Sequence, residues 1–237
     1  MLGATDALVR AVAGTAVVAT LLVGTTTATT TAAADFTPIS TQAATDALRQ
    51  STAQVMAFGC DLERHDGTVV ALAGGTLLTN AHVVAGSRLV DIVADGRPTE
   101  VGGGPMVGVV GDVATVTVAG PPLAALALAP ADPAPGSAVR VAGYPSGPSD
   151  QPQPGLSVIA TSVLDYIPGT AVDQPGTVMR LAASVRPGMS GGPVLDASGR
   201  VAGIVFGDEE PTGEGLVIPA SELRRLLAPG SLVPSTC

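Results

Sequence analysis

The chain has 237 residues, of which 46% are apolar and only 13% charged, with 30 Gly, 20 Pro and a net charge of −9. That is roughly half the usual charge content, and the apolar fraction excludes an intrinsically disordered chain. All 11 basic residues are arginines, they form no stripe, and only five aromatics occur, which removes both the electrostatic footprint and the stacking platform of a nucleic-acid binder.

Residues 1–34 read as an export segment. After Arg10 comes an uncharged apolar stretch, Ala11 to Gly24, then a Thr/Ala run ending in Ala32-Ala33-Ala34. Such a pattern describes a secretory signal cleaved after Ala34. The apolar part falls short of the ~20 residues that a spanning helix needs, unless the threonines join it and the segment stays as an anchor. Membrane association is therefore expected only if this segment is uncleaved. No second hydrophobic span follows.

Residues 35–53 are expected to form an N-terminal helical segment, because TQAATDALRQSTA is Ala-rich with a Ser/Thr start. Short runs of Val, Leu, Ile and Ala then alternate with Gly/Pro/Asp clusters, the mark of an all-β sandwich or barrel. Strands are expected at 54–58, 68–72, 75–79, 89–94, 113–118, 139–142, 157–164, 178–182, 193–195, 201–206 and 215–218. The proline-rich stretch from Pro121 to Gly136 reads as a linker, dividing the strands into halves at 54–128 and 129–237. SELRRLLAPG reads as a C-terminal helix capped by Ser221 and stopped at Pro229-Gly230.

Three polar residues stand inside apolar text: His82 in TNAHVVAG, Asp112 in GDVATV and Ser190 in RPGMSGGPV. Each alone suits an ordinary turn or strand end. Together they supply a hydroxyl nucleophile, an imidazole to take its proton and a carboxylate to hold the imidazole's tautomer. Their order, His then Asp then Ser, is that of one convergent triad. Gly188, Gly191 and Gly192 leave backbone N–H groups unobstructed near Ser190. His65, in the charged stretch ERHDG, reads as a solvated turn residue.

TNAHVV, the D-V-A of Asp112 and G-x-SGGP in that order resemble the trypsin-like (chymotrypsin-fold) serine proteases of bacteria. GYPSG at 143–147 and GRVAGIVFG at 199–207 extend the likeness, which spans roughly residues 54–228. Within that family the chain is most similar to exported, disulfide-bridged acid-resistance proteases, without a multi-span membrane portion. It is less similar to HtrA proteases, since no room for a PDZ domain follows Ala228. The resemblance implies an all-β fold of two six-stranded antiparallel β-barrels, with a short N-terminal and a C-terminal helix.

It also implies roles. Ser190 would be the nucleophile, His82 the general base and then acid, and Asp112 the orienting carboxylate. The N–H groups of Gly188 and Ser190 would form the oxyanion hole. Val205, Phe206 and Gly207 would pair with the substrate backbone, and Ser184 would sit at the base of an uncharged specificity pocket. Substrates would be proteins or peptides; no cofactor and no metal are implied. Met189 departs from digestive relatives, which carry there an aspartate that pairs with a freed N-terminal ammonium. A catalytically silent binding protein on the same fold is the competing reading; an esterase fits neither the triad order nor the neighbourhood of Ser190. Export and the resemblance together imply a disulfide between Cys60 and Cys237, the only two cysteines, against the reading of two unrelated thiols.

Overall fold

A strand whose two faces are both covered carries apolar residues at consecutive positions, because neighbouring side chains point to opposite sides. In a computed structural model describing residues 41–94, 97–100, 104–119, 122–147 and 155–237, several strands are of this kind. The export segment at residues 1–34 lies outside the described residues.

The chain starts with helix α1 (Thr41–Ser51), followed by β1 (Thr52–Gly59), β2 (Arg64–Leu72) and β3 (Thr76–Thr79). A single helical turn, α2 (Ala81–Val84), precedes β4 (Ser87–Ala94), β5 (Arg97–Glu100), β6 (Met106–Gly108) and β7 (Ala114–Val116). The second half holds β8 (Ala138–Gly143), β9 (Ser157–Pro168), β10 (Thr177–Ser184), β11 (Pro193–Leu195), β12 (Val201–Glu209) and β13 (Glu214–Pro219). Helix α3 (Ala220–Leu226) and β14 (Leu232–Pro234) end the chain.

Strands β8 to β13 close into a six-stranded barrel in the order β10-β13-β12-β11-β8-β9. The N-terminal strands form an eight-stranded sheet, β14-β6-β7-β3-β2-β1-β4-β5, with no closure among the described residues. The expectation of two six-stranded barrels thus holds for one of them. The other sheet counts seven N-terminal strands, and β14 from the C-terminal tail pairs with β6 as the eighth (Leu232 opposite Gly108).

Alternation explains the packing. In β2, Val69 and Ala71 enter the core of the N-terminal sheet with Val55, Leu77 and Ile92, while Val70 and Leu72 face the other way. In β12 and β13, Val205 and Val217 fill the closed barrel beside Val139, Val141 and Leu181. Their neighbours Ile204 and Ile218 join Val70, Leu72 and Leu78 in a third cluster, which α1 and α3 complete with Leu48, Leu223 and Leu226. That third cluster welds the two sheets.

The proline-rich connection is more than a spacer. It bridges Leu126 to Leu72 in one sheet and Leu128 to Val201 in the other. Its Asp132 also accepts the N–H and hydroxyl of Ser221, supplying an acceptor to the first turn of α3. Ser221 therefore does not cap the helix; Pro219 occupies the N-cap position, and Ser221 donates to a carboxylate. Likewise His65 is a β2 residue opposite Ala57 rather than a turn residue.

Candidate active site

His82 does not end a strand, as the apolar run before it suggested, but lies on the one-turn helix α2. The turn buries Val83 and Val84 and leaves the imidazole outward, 49% exposed. Asp112, 13% exposed in the loop before β7, receives it. One carboxylate oxygen accepts the His82 backbone N–H at 2.8 Å and the other meets Nδ1 at 2.6 Å. A carboxylate only accepts, so Nδ1 carries the proton and Nε2 presents its lone pair.

The carboxylate is itself held in place. Asn80, fully buried, donates its amide to the Asp112 carbonyl at 2.8 Å, and the Asp112 N–H donates to Gln174 Oε1 at 3.1 Å. Gln174 comes from the closed-barrel half, so both halves orient one side chain.

Ser190 approaches α2 across β2. A Cβ at Gly67 would lie 2.7 Å from Val83 Cγ1 and 3.2 Å from the Ser190 carbonyl oxygen, so these two elements meet over a glycine. No hydrogen bond joins the Ser190 hydroxyl to His82 among the described residues; in unliganded sites that contact commonly tightens only with substrate.

The loop before Ser190 has a complete carbonyl ledger. Arg186 C=O accepts from Met189 N–H (3.0 Å), Pro187 C=O from Ser146 N–H (2.8 Å), and Gly188 C=O from the Thr68 hydroxyl (2.9 Å). Met189 C=O accepts from Gly192 N–H (2.9 Å) and Ser190 C=O from Thr68 N–H (2.7 Å). Gly191 N–H is taken up by Val205 C=O at 2.8 Å. From Gly188 to Gly192, only the N–H groups of Gly188 and Ser190 lack an acceptor within the described residues; before them the exposed Arg186 N–H has none either. Because N–H and C=O of one trans peptide point oppositely, fixing Pro187 and Met189 C=O aims those two N–H groups. Two neighbouring N–H groups without a protein acceptor can receive an oxygen from outside the chain.

Two glycines are required here. Gly188 has φ of 88° and a Cβ there would strike Ser146 N and Tyr144 O; Gly191, at φ 83°, would strike Thr68 O. Met189 is fully buried in the barrel core, its atoms against Gly143.

The other expected residues are more scattered. Beyond Val205, which is bonded to Gly191 and Gly192, β12 meets only β13, leaving the opposite backbone edge at Phe206–Gly207 without a strand. A Cβ on Gly207 would meet open space. Ser184 is exposed and lines a cavity of about 290 Å³ with Leu164, Ala182, Thr212, Gly213 and Glu214. Neither Ser190 nor Phe206 is among its lining residues. Arg180 is the shared partner of three carboxylates at this end of the barrel, bonding Asp165, Glu209 (2.8 Å) and Glu214 (2.9 Å). Its hydrogen bonds hold the Asp165 carboxyl below its ordinary value, while those from Asp165 and Glu209 raise its own guanidinium.

Residues 65–204 match the family model of the trypsin-like peptidase domain. The chain belongs to that family. Serine protease Rv3671c of Mycobacterium tuberculosis is 36% identical over 169 residues, 69% of this chain and 41% of the relative. Putative serine protease HhoA of Synechocystis sp. is 33% identical over 171 residues, 68% of this chain and 42% of the relative. This trypsin-like chain thus spans about two fifths of the length of the curated relatives it matches. The crystal structure of the Rv3671c protease in its active form superposes with TM-score 0.68 at 29% identity, covering 81% of this chain and 86% of that one. The inactive form gives 0.63 at 28%, covering 81% and 96%. HtrA-type protease AlgW with a tripeptide, at 24% identity and TM-score 0.66, shares the fold.

Outside the matched span, a disulfide joins Cys60, just past β1, to Cys237. No helix among the described residues is long and apolar enough to cross a membrane.

Proposed function

We propose that this chain is a serine endopeptidase acting outside the cytoplasm, with Ser190 as nucleophile, His82 as general base and acid, and Asp112 as the orienting carboxylate. The observation that carries it is the pair of unbonded N–H groups at Gly188 and Ser190 in a loop whose carbonyls are all held.

Substrate binds with its backbone along the free edge at Phe206–Gly207, adding a strand to β12. Ser190 Oγ attacks the scissile carbonyl while His82 Nε2 takes its proton. The carbonyl oxygen becomes an oxyanion between the two N–H groups, which are already aimed and cost no reorganisation. Asp112 stabilises the imidazolium and keeps Nδ1 protonated. The imidazolium then gives its proton to the departing amine, leaving an acyl-enzyme. Water, deprotonated by the same nitrogen, releases the acid and restores Ser190.

The reading extends to specificity and place. Ser184 brings no charge to its cavity, and Arg180 already pairs the nearby Glu214. Uncharged, small to medium apolar side chains before the scissile bond suit such a site. A persistent disulfide favours an oxidising compartment, as export of residues 1–34 would provide. Against a silent binding protein stands the open hole: such a module has no use for two aimed, unpaired donors.

The deciding experiment is labelling with a fluorophosphonate, wild type against Ser190→Ala. Serine-dependent labelling supports the proposal; a folded wild type that is never labelled refutes it.

A further inference from the structure

Digestive relatives order the loop before the nucleophile with an ion pair, for which Met189, buried and uncharged, has no chemistry. Something else must select the loop's form, because a glycine at position 188 is free to adopt many. Resting on the reading of Ser190 as nucleophile, we infer that the Thr68 side chain is that positioning residue, and that the enzyme consequently works without any freed N-terminal ammonium.

Thr68 belongs to β2 of the N-terminal sheet and is fully buried. Its hydroxyl donates to Gly188 C=O and accepts Tyr144 N–H, each at 2.9 Å, so its rotor is fixed from both sides. Its N–H takes the Ser190 carbonyl, and its own carbonyl is anchored by the Thr79 hydroxyl at 2.9 Å. One residue thus grips the carbonyls on either side of Met189. Through Tyr144 it also grips the turn whose Ser146 N–H holds Pro187 C=O. That carbonyl shares its peptide with the Gly188 N–H, the outer donor of the hole. Removing the hydroxyl orphans a carbonyl and an N–H together. The cheapest relief is for the peptides around Gly188 to turn, and the hole turns with them.

Thr68→Val tests the side chain, since it keeps shape and the backbone bond to Ser190. The expected result is a kcat lower by about ten- to hundredfold with KM nearly unchanged. Affinity for a peptide boronic acid, whose tetrahedral adduct fills the hole, falls in parallel, and Thr68→Ser regains most of both. A merely structural role would lower Tm without separating kcat from KM. Unchanged kcat and boronic-acid affinity in folded Thr68→Val overturn the inference while leaving Ser190-dependent labelling, and the proposed function, intact.

A second test needs no variant. These 237 residues contain no lysine, so among them only an α-amino group can be a primary amine. Carbamylating the α-amino group that the active, processed enzyme carries should leave kcat and labelling at the untreated level. Loss of activity on blocking that amine overturns the inference. Absence of labelling in the untreated protein would instead bring down the proposed function itself.

Discussion

Gln174 and Asp112 belong to opposite halves of the molecule, 62 residues apart, yet the Gln174 side-chain oxygen accepts the Asp112 backbone N–H at 3.1 Å. Asp112 in turn holds His82. The proposed base is therefore oriented across the junction of the two sheets. Replacing Gln174 by Ala removes one neutral hydrogen bond of about 1 kcal/mol. The expected outcome is a kcat reduced roughly three- to tenfold, with Ser190 labelling slowed but retained. Steady-state kinetics on a peptide substrate check it; an unchanged kcat would show that Asn80 suffices.

Asp112→Asn presents an amide where His82 now meets two acceptor oxygens. The wrong imidazole tautomer then faces Ser190. A loss of about 10⁴-fold in kcat is expected, as in related triads, with the fold retained by circular dichroism.

Tyr166 donates to Pro133 C=O at 2.6 Å, and burial, with the charge of Asp132, pushes its phenol up to about 12. A phenol raised above its unfolded value, near 10, lends stability that is full below pH 10 and lost as pH climbs through 12. Absorbance at 295 nm across that window should show a late phenolate step, absent in Tyr166→Phe.

Arg180 has the opposite limb. Asp165, held low by it, lends stability above the ordinary carboxylate range that disappears as pH falls through its folded value. In Arg180→Met the three carboxylates lose their common partner and repel. The variant should be less stable by roughly 1 kcal/mol at pH 7, since these groups are partly solvated, and the deficit should shrink toward pH 3. Melting curves at both pH values test this. A peptide library should also show new cleavage after Arg or Lys, from the freed Glu209 and Glu214.

Reducing Cys60–Cys237 opens a cross-link between residues 177 apart, worth at most about 5 kcal/mol in chain entropy. A Tm lowered by roughly 5–15 °C is expected. Intact mass after alkylation should find two reactive thiols only in the reduced protein.

The strands that were readable in the sequence are those sandwiched on two faces, such as β2, β12 and β13, whose unbroken Val/Ile/Ala runs follow from that burial. RPTE, MVG and LVP, which form β5, β6 and β14, are too short and too proline-marked to announce themselves. They are strands because a partner edge is there. AHVV follows the strand expected at 75–79 and was given no element of its own; packing of Val83 and Val84 makes it a helical turn. His82, Asp112 and Ser190 were visible by motif. Thr68 was not, since its partner Gly188 lies 120 residues on and a threonine in a strand signals nothing by itself.

The tail bears on how the molecule comes into being. Strand β14 covers β6, Ser235 N–H bonds Pro105 C=O, and the Ser235 hydroxyl accepts Gly86 N–H. A growing or translocating chain has therefore passed as far as residue 234 before the rim of its first-made sheet is finished. Until then β6 offers an open edge to any passing strand. A chain cut short after α3 would keep that edge exposed for life.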